Sequence, residues 1–366
     1  MFHRSFGAIQ NNNMRDKSQQ PLINQQEGLH SRSICLPPLN QDLQPWDRPD
    51  SSWNRAANST LQGDPFCCGT EWQLSYHQAF APDRSLYLRE TSDSLVALAR
   101  APQKIRPNLF TPVEAHWFFG CPLLGSAAVD LLDQAIQELA QRIPSTELKA
   151  SFLISGIRPR GLLYRQLRQR FQQRFEFHKL IAETQCAASL SGGLDGFLSR
   201  RSSNHRRNLK KQSQRASRKG VYFERYNPRN PAQVDSIYNR MITVEKASWK
   251  GLDECGMAEQ PARHYYHLML RRLAVSGSAR IIMARHGDSD IGFIFGGIAA
   301  SIYRGQQFSF ADDWKKSSIG NLLQLEQISW LCEEGISRYD MGPVMGYKPH
   351  WTEKRLHIET WFLKPR

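Results

Sequence analysis

The pattern of apolar and polar positions changes near residue 65. Residues 1–64 carry clusters of Gln, Asn, Pro and Ser and few regularly spaced apolar side chains. Such a segment cannot bury enough apolar surface to offset the entropy lost on ordering. We therefore predict a disordered polar tail over residues 1–65 and a folded region after it.

Between residues 66 and 190 the pattern predicts a small α/β domain. In chain order the expected elements are strands at 87–90 and 94–100, a helix at 129–143, a strand at 150–155, a helix at 162–175 and a strand at 177–180. The helix assignments rest on apolar residues at 3.6-residue spacing, the strands on short apolar runs between turn residues. Strands that alternate with helices are typical of a mixed sheet covered by helices.

A second α/β unit is expected over residues 221–366. Its predicted elements are a strand at 221–225, helices at 232–248 and 264–275, strands at 279–284, 291–299 and 306–311, a helix at 321–334, and strands at 338–341 and 356–362. Gly277 and Gly335 are expected to end two of the helices. The order is strand, two helices, three strands, helix and two strands.

The segment between the two units, residues 191–220, is strongly basic. The stretch from Phe197 to Lys219 contains nine Lys or Arg residues and no carboxylate, in a chain of formal charge +14. It contains no aromatic residue between Ser199 and Gly220 that could stack on a nucleic-acid base. Two interpretations stay open: a solvated helix that links the domains, or a helix that contacts phosphate or a carrier protein.

The cysteines and the apolar runs indicate a cytoplasmic protein without a metal site. Seven cysteines are scattered, with no pair at zinc-ligand spacing, so we expect reduced thiols. The first 26 residues lack the apolar core of a signal peptide. The longest apolar run, residues 291–302, is too short for a bilayer and is broken by glycines.

The stretch from Phe310 to Leu323 reads as a strand end, a basic loop and a helix start. A helix that begins at Ser317 or Ser318 would expose unpaired backbone N–H groups, and Gly320 has no side chain to exclude a ligand. The alternative is an ordinary capped helix. The candidate anion-binding residues are Lys315, Lys316, Ser317, Ser318, Gly320 and Asn321.

Several motifs, in their order and spacing, resemble the GNAT acyltransferases of the CelD-like subfamily. The motifs are Arg206-Arg207-Asn208-Leu209-Lys210-Lys211, Glu245-x-x-Ser248-Trp249-Lys250-Gly251, Ile291-Gly292-Phe293, Ser318-x-Gly320-x-Leu322-Leu323, and Tyr339-Asp340-x-Gly342 with Gly346-Tyr347-Lys348-x-x-Trp351. Members resemble the Fem aminoacyltransferases in having two GNAT-like halves. The resemblance, over about residues 85–366, implies an α/β fold class: tandem GNAT-like mixed-sheet domains at 66–190 and 221–366, joined by a basic helix at 191–220.

The resemblance also implies candidate residues for acyl transfer from a thioester to an amine. Glu245 is the first candidate for a base or for amine recognition, Asp312 for holding a cationic substrate, and Tyr347 for protonating the thiolate. Candidates for substrate binding are Trp249, Lys250 and Lys348. Alternatives remain for each carboxylate and the tyrosine: Glu245 as a surface partner of Lys246 or Lys250, Asp312 with Asp313 as a turn pair, and Tyr347 as a packed side chain.

The motifs do not identify the acyl donor or the amine acceptor. Ile319 stands where the family often has proline, and the longer glycine-containing pyrophosphate loop of other acetyltransferases is absent. The donor is therefore expected to be acyl-CoA or an acyl-phosphopantetheine on a carrier protein, and the acceptor a primary amine of a small molecule, sugar or peptide. The alternatives are a Fem-like enzyme that uses aminoacyl-tRNA and a non-catalytic scaffold. The first half lacks the Ser-x-Gly-x-Leu-Leu run and is expected to shape the acceptor groove.

Overall fold

The computed structural model describes residues 48, 50–60, 64–144 and 148–366. Most of the predicted polar tail, through residue 47, lies outside the described residues. The end of the predicted tail differs from the prediction, since Ser52–Ser59 is a helix whose Trp53 side chain is buried. Folded structure therefore begins before residue 65.

Within the described ranges, every helix and strand predicted between residues 87 and 362 has a counterpart. The helices are α1 (Ser52–Ser59), α2 (Pro65–Cys68), α3 (Thr70–Phe80), α4 (Ala128–Arg142), α5 (Leu162–Phe171), α6 (Gly193–Ser199), α7 (Ser203–Arg218), α8 (Pro231–Lys246), α9 (Trp249–Leu252), α10 (Ala262–Ser276) and α11 (Ile319–Glu333). The strands are β1 (Leu86–Glu90), β2 (Leu95–Arg100), β3 (Leu109–Pro112), β4 (Leu123–Leu124), β5 (Ser151–Ile157), β6 (Phe175–Ser189), β7 (Val221–Tyr226), β8 (Ala279–His286), β9 (Ser289–Ala299), β10 (Ile302–Phe310), β11 (Arg338–Pro343) and β12 (Lys354–Pro365).

The strands form one mixed sheet in the order β1-β2-β3-β5-β12-β6-β11-β10-β9-β8-β7, with β4 paired to β2. The last strand of the chain, β12, pairs with β5 on one side and β6 on the other. The predicted boundaries at 190 and 221 therefore do not separate two independent sheets. The sequence could not indicate this, because pairing between strands that are so far apart in the chain leaves no local pattern.

The sheet is buried on both faces in the second half of the chain. Along β8, Ile281 and Met283 belong to the apolar cluster under α8 and α10, whereas Ile282 and Ala284 belong to the cluster under α11. The same alternation continues along β9. A strand covered on both faces has no polar side, which explains why residues 291–299 read as a continuous apolar run.

The helices α2 and α3 pack on the second half of the chain although they come before the first. Phe66, Trp72 and Tyr76 share one apolar cluster with Tyr265 and other residues of α8 and α10. The sequence pattern does not reveal α3 because several of its buried residues are polar; these are Thr70, Gln73, Ser75 and His77. Their partners are tertiary, such as the hydrogen bond from Arg272 to Ser75.

The basic segment forms two helices in place of the single linker helix that we predicted. α6 ends at Ser199 and α7 begins at Ser203, where the Ser202 hydroxyl accepts a hydrogen bond from the backbone N–H of His205. Serine at this position satisfies one of the N–H groups that a helix start leaves unpaired. The chain therefore turns between the two helices.

Arg304 of β10 lies in a buried ion pair that joins the N-terminal helices to the sheet. Its guanidinium lies 2.7 Å from the carboxylate of Asp64 and also donates to Gln185 of β6. Asp64 in turn accepts hydrogen bonds from the first N–H groups of α2. The interactions of Arg304 therefore connect β10 with the start of α2 and with β6.

Replacing Arg304 by methionine is expected to reduce the free energy of unfolding by about 3–5 kcal/mol, because it leaves the Asp64 carboxylate buried without its partner. Equilibrium denaturation would measure the change. The matched control is Arg215→Met, since Arg215 is exposed and a surface change is expected to stay within about 0.5 kcal/mol. Equal effects of the two substitutions would contradict the role given to the ion pair.

Candidate functional site

The strands β10 and β11 separate from each other in the middle of the sheet. Their parallel pairing covers only three positions, from Ile302 opposite Arg338 to Arg304 opposite Asp340. Beyond these positions β10 continues beside β9 to Phe310, and β11 continues beside β6 to Pro343. A cleft therefore opens between two neighbouring strands.

Each of the two strands has a bulge where they separate. In β10 the register with β9 shifts between Gly305 and Gln307, and in β11 the register with β6 shifts between Asp340 and Gly342. A bulge bends and twists its strand. Gly342 has φ +76°, a conformation that favours glycine, and a side chain on Gly305 would collide with the ring of Tyr339. The glycines thus permit the two bends that open the cleft.

The helix α11 begins at the mouth of this cleft. It follows β10 through a 3-10 turn at Asp312–Ser317, and Ser318 precedes it in the left-handed conformation, with φ 56°. No side chain caps the helix start. The helix geometry leaves its first N–H groups, which include those of Ile319 and Gly320, without intrahelical acceptors. These groups and the helix dipole favour an anion here.

A pocket of about 270 Å³ lies between the helix start and the separated strands. Its walls are Phe308, Phe310, Lys315, Ser318, Gly320, Asn321, Gln324, Tyr347 and Trp351. We call it the donor pocket, after the acyl donor whose binding residues the sequence resemblance predicts here. Its two phenylalanines come from the free part of β10, and the polar residues come mostly from the start of α11. The arrangement suits a ligand with an extended apolar arm and an anionic group.

The structure brings most of the predicted anion-binding residues to this pocket. Lys315, Ser318, Gly320 and Asn321 line it. Ser317 lies beside them and its hydroxyl is 3.3 Å from the ammonium of Lys219. Lys316 is not among the residues that line the pocket. Its side chain is exposed on the 3-10 turn.

Because Gly320 has no side chain, the rings of Phe308 and Phe310 can approach the start of α11 and space for a ligand remains. A Cβ atom at this position would lie 3.0 Å from the ring of Phe308 and 3.1 Å from the ring of Phe310. Both rings line the donor pocket. A larger residue would therefore displace the rings or fill the pocket.

Glu245 is buried next to the cleft, at the C-terminal end of α8. It has 0% exposure, and its Oε1 atom accepts a hydrogen bond from Met257 N and lies 3.2 Å from the ammonium of Lys250. Its Oε2 atom is buried and accepts no hydrogen bond from the described residues. Glu245 pairs with Lys250, as one sequence interpretation expected, but the carboxylate is buried and does not lie on the surface.

Lys250 connects this carboxylate to the bulged part of β10. Its ammonium donates to the carbonyl of Phe308 at 3.1 Å and to the side-chain oxygen of Gln307 at 3.2 Å. The amide of Gln307 in turn donates to the hydroxyl of Tyr266 at 2.7 Å. Burial raises the pKa of Tyr266 to about 12, and the nearby charge of Glu245 acts in the same direction. The network fixes the strand at the edge of the cleft.

Sequence reasoning did not identify Gln307, Tyr266 or Phe308 as site residues. Gln307 and Phe308 lie in a predicted strand, and Tyr266 lies in a predicted helix where it resembles an ordinary core residue. Only the bulge after Gly305 turns Gln307 toward α10. A glycine followed by two glutamines within an apolar strand was the only local signal.

Tyr347 and Lys348 lie on the other side of the cleft, after β11. The Tyr347 ring packs edge-on against Phe308, with centroids 5.8 Å apart, and lines the donor pocket. Tyr347 is 37% exposed, and the partial burial of its side chain, with the nearby Cys186, raises its pKa to about 12. Lys348 is buried and donates to the carbonyl of Pro343 at 2.7 Å, and burial together with the charge of Arg304 lowers its pKa to about 8.

Asp312 and Trp249 lie outside the donor pocket. The Asp312 carboxylate is 2.7 Å from the ammonium of Lys315, within the 3-10 turn, and its backbone N–H donates to Ala247 O. The pairing raises the pKa of Lys315 and keeps it charged. Trp249 is 50% exposed at the start of α9, a few residues after Glu245. Asp312 thus lies in a turn, which is the alternative that the sequence offered to its role in holding a cationic substrate.

In the first half of the chain, the corresponding strands also separate, but other residues fill the space. The parallel strands β3 and β5 pair at only two positions. Ser155 of β5 donates to the carbonyl of Gly120, and Gly156 lies against the backbone of Gly120 and Cys121. The loop that contains Gly120 and Cys121 therefore packs directly on β5.

Comparisons with known proteins agree with this architecture. Residues 203–350 match the family described as "Acetyltransferase (GNAT) domain". No curated protein sequence matches the chain significantly. Within the described ranges, no helix is both long and apolar enough to cross a membrane.

Three solved structures share the fold at low sequence identity. A conserved protein of unknown function from Bacteroides thetaiotaomicron has a TM-score of 0.56 and 11% identity, over 87% of this chain and 94% of that one. FemX has a TM-score of 0.55 and 10% identity, over 84% and 94%. The C-terminal DUF2156 domain of a putative lysylphosphatidylglycerol synthetase from Agrobacterium fabrum has a TM-score of 0.53 and 13% identity, over 85% and 91%.

The predicted fold class is thus confirmed, with a large mixed sheet and GNAT-like relatives that span most of the chain. Acyl transfer in general is supported by the family match over the half that contains the cleft. The chain has the fold of FemX and of the other two solved structures, and its residues 203–350 match the family described as an acetyltransferase (GNAT) domain.

Proposed function

We propose that this protein is an N-acyltransferase of the CelD-like subfamily. It transfers an acyl group from acyl-CoA or an acyl-carrier-protein thioester to a primary amine of a small molecule, sugar or peptide. The observation that supports this most is the donor pocket, where a free helix start and an opened strand pair meet in one cavity. Lys315, Ser318, Gly320 and Asn321 hold the phosphate, and the pantetheine arm lies along β10.

In this reaction the amine nitrogen attacks the thioester carbonyl, so that a C–N bond forms and the C–S bond breaks. The developing oxyanion needs N–H donors, which the part of β10 that has left β11 supplies. Glu245 and Lys250 are positioning residues. Lys250 donates hydrogen bonds to the Phe308 carbonyl and the Gln307 side chain, and Glu245 forms an ion pair with Lys250. Tyr347 gives its proton to the leaving thiolate and regains one from the amine.

The test is a donor panel with the purified full-length protein. Acetyl-CoA, longer acyl-CoAs and acylated carrier protein are each mixed with amines from the three acceptor classes, and thiol release and amide formation are measured. Release of thiol that depends on the amine supports the proposal. If no donor releases thiol with any amine, while the protein is folded, catalysis of acyl transfer is excluded and the scaffold interpretation remains.

The fold likeness to FemX favours one second candidate, an aminoacyltransferase that uses charged tRNA. The exposed basic helix α7 would also suit RNA. Under this alternative, ribonuclease treatment abolishes transfer and acyl-CoA is inert. Transfer that survives ribonuclease removes this candidate.

Replacement of Tyr347 by phenylalanine is expected to reduce kcat by about 100-fold or more with little change in the donor KM, because a general acid acts in the reaction and not in binding. With a pKa of about 12, Tyr347 stays protonated through pH 10, so its loss lowers the rate by the same factor from pH 6 to pH 10. The pH profile of kcat measures this. Tyr222→Phe, on the exposed end of the sheet, is the control; equal rates for both variants would remove Tyr347 from the mechanism.

A further inference from the structure

The exposed cations of α7 are not neutralised by the protein itself. Arg206, Arg207, Lys210, Lys211, Arg215 and Arg218 are all exposed along this helix. None of them forms an ion pair with a carboxylate of the described residues, whereas Arg225, Arg240, Arg280 and Arg285 nearby all do. Unscreened like charges on one helix repel each other. The free-energy cost of this repulsion is offset when an anionic partner binds.

The helix α7 lies directly beside the entrance of the donor pocket. The side chains of Gln212 and Asn321 are 3.3 Å apart, and Asn321 lines the pocket. At the end of the helix, the ammonium of Lys219 is 3.3 Å from the Ser317 hydroxyl and 6.0 Å from the centre of the Trp314 ring. Leu209 and Ala216 pack inward, so the cations face away from the core.

The extent of this basic surface is larger than a soluble nucleotide needs. Its cations run from Arg206 to Arg218, twelve residues along α7, which is about 18 Å. Coenzyme A carries its remaining phosphates on one nucleotide, which a few cations near the pocket can bind. A row of cations of this length matches an acidic macromolecule that stands over the pocket.

We propose that the acyl donor is carried on an acidic carrier protein, and that α7 is the surface on which this protein docks. This rests on the proposed function and makes it more specific. A phosphopantetheine arm has one phosphate, joined to a serine of the carrier protein. When that phosphate lies at the start of α11, the acidic surface around the serine lies within reach of α7. The charges are complementary, and contact steers the partner to the pocket.

An RNA donor fits the same charges less well. α7 has no Phe, Tyr or Trp on which bases could stack, its His205 ring is already stacked on His350, and the Lys219 ammonium lies over the nearby Trp314 ring. The donor pocket is lined by Phe308 and Phe310, which suit a pantetheine arm. RNA is therefore an outcome that the experiment must distinguish.

The experiment compares two donors that carry the same acyl group, an acylated holo carrier protein of the bacterial fatty-acid type and the corresponding acyl-CoA. The variant Lys211→Glu with Arg215→Glu reverses two charges of α7. Its control, Lys104→Glu with Arg165→Glu, makes the same charge change at exposed positions elsewhere. Lys211→Gln with Arg215→Gln is a second test variant without added negative charge. Thermal unfolding confirms that each is folded.

With the wild type, we expect the carrier-protein donor to give a higher kcat/KM than acyl-CoA at low salt and to lose this advantage as salt rises. The α7 variants are expected to raise the KM for the carrier protein at least tenfold and to change the KM for acyl-CoA less than twofold. The control is expected to change neither. An unchanged carrier-protein KM in the α7 variants overturns the docking surface.

The other outcomes separate the two proposals. If acyl-CoA is used and the carrier protein is inert, the docking proposal is wrong while acyl transfer stands. If both thioesters are inert, the proposed function itself fails. Transfer that requires charged tRNA and stops with ribonuclease replaces the carrier protein by RNA.

Discussion

Replacement of Gly320 by glutamate is expected to abolish measurable acyl transfer. The new side chain begins 3.0 Å from the Phe308 ring and projects into the donor pocket, where it places a carboxylate at the site proposed for phosphate. Steric exclusion and charge repulsion act together. We expect the donor KM to rise at least 100-fold, measured as the initial rate against donor concentration.

Asn321→Asp separates loss of binding from loss of folding. The substitution keeps the size of the side chain and adds a negative charge in the first turn of α11, where an acidic residue stabilises a helix by about 0.3–1 kcal/mol. The protein should therefore remain folded while the donor KM rises about tenfold. Asn239→Asp, on the exposed face of α8, is the matched control. An unchanged donor KM in both Gly320→Glu and Asn321→Asp would remove the phosphate from the start of α11.

Replacement of Glu245 by glutamine is expected to have the largest effect among the residues beneath the cleft. Its charge is the partner of Lys250, and both lie below the bulged part of β10. Loss of the Glu245 charge weakens the hydrogen bonds from the Lys250 ammonium to the Phe308 carbonyl and the Gln307 side chain. We expect kcat/KM to fall about 100-fold, because a displacement of about 1 Å at reacting atoms has effects of this size.

The same substitution is expected to lower the free energy of unfolding, by up to about 3–5 kcal/mol, because a buried ion pair loses one member. The double variant Glu245→Gln with Lys250→Met separates the two effects. It removes both charges and should recover part of the stability, measured by denaturation, without recovering activity. Lys246→Met, an exposed neighbour, is the control. Recovery of activity in the double variant would show that the pair serves stability alone.

The elements of the second half could be predicted because each depends on local pattern. Gly277 and Gly335 end helices with φ +64° and +72°, as their sequence positions indicated. α11 begins at Ile319, between the predicted helix start at Ser317 or Ser318 and the predicted helix bound at 321, since the left-handed Ser318 follows a 3-10 turn that no propensity indicates. Lys315, Ser318, Gly320 and Asn321 could be predicted as one site because they are neighbours in the chain.

The features that no local pattern could show depend on contacts between distant residues. Tyr347 meets the start of α11 only because β10 and β11 separate, and Glu245 lies beneath Lys250 because α8 ends under that bend. The same holds for β12, whose pairing with β6 and β5 joins residues from 167 positions apart (Lys354 and Ala187) to 211 positions apart (Leu363 and Phe152).

The sequence by itself determined the α/β class, the order of the elements and the basic segment, and it grouped the residues that surround the start of α11. Each of these follows from the spacing of residues within about 20 positions. Only the tertiary structure decided that β10 and β11 part at two bulges, that Glu245 is buried under Lys250, and that α7 borders the pocket entrance. Burial, charge pairing and strand separation depend on which distant surfaces meet, and that information lies in the packed fold.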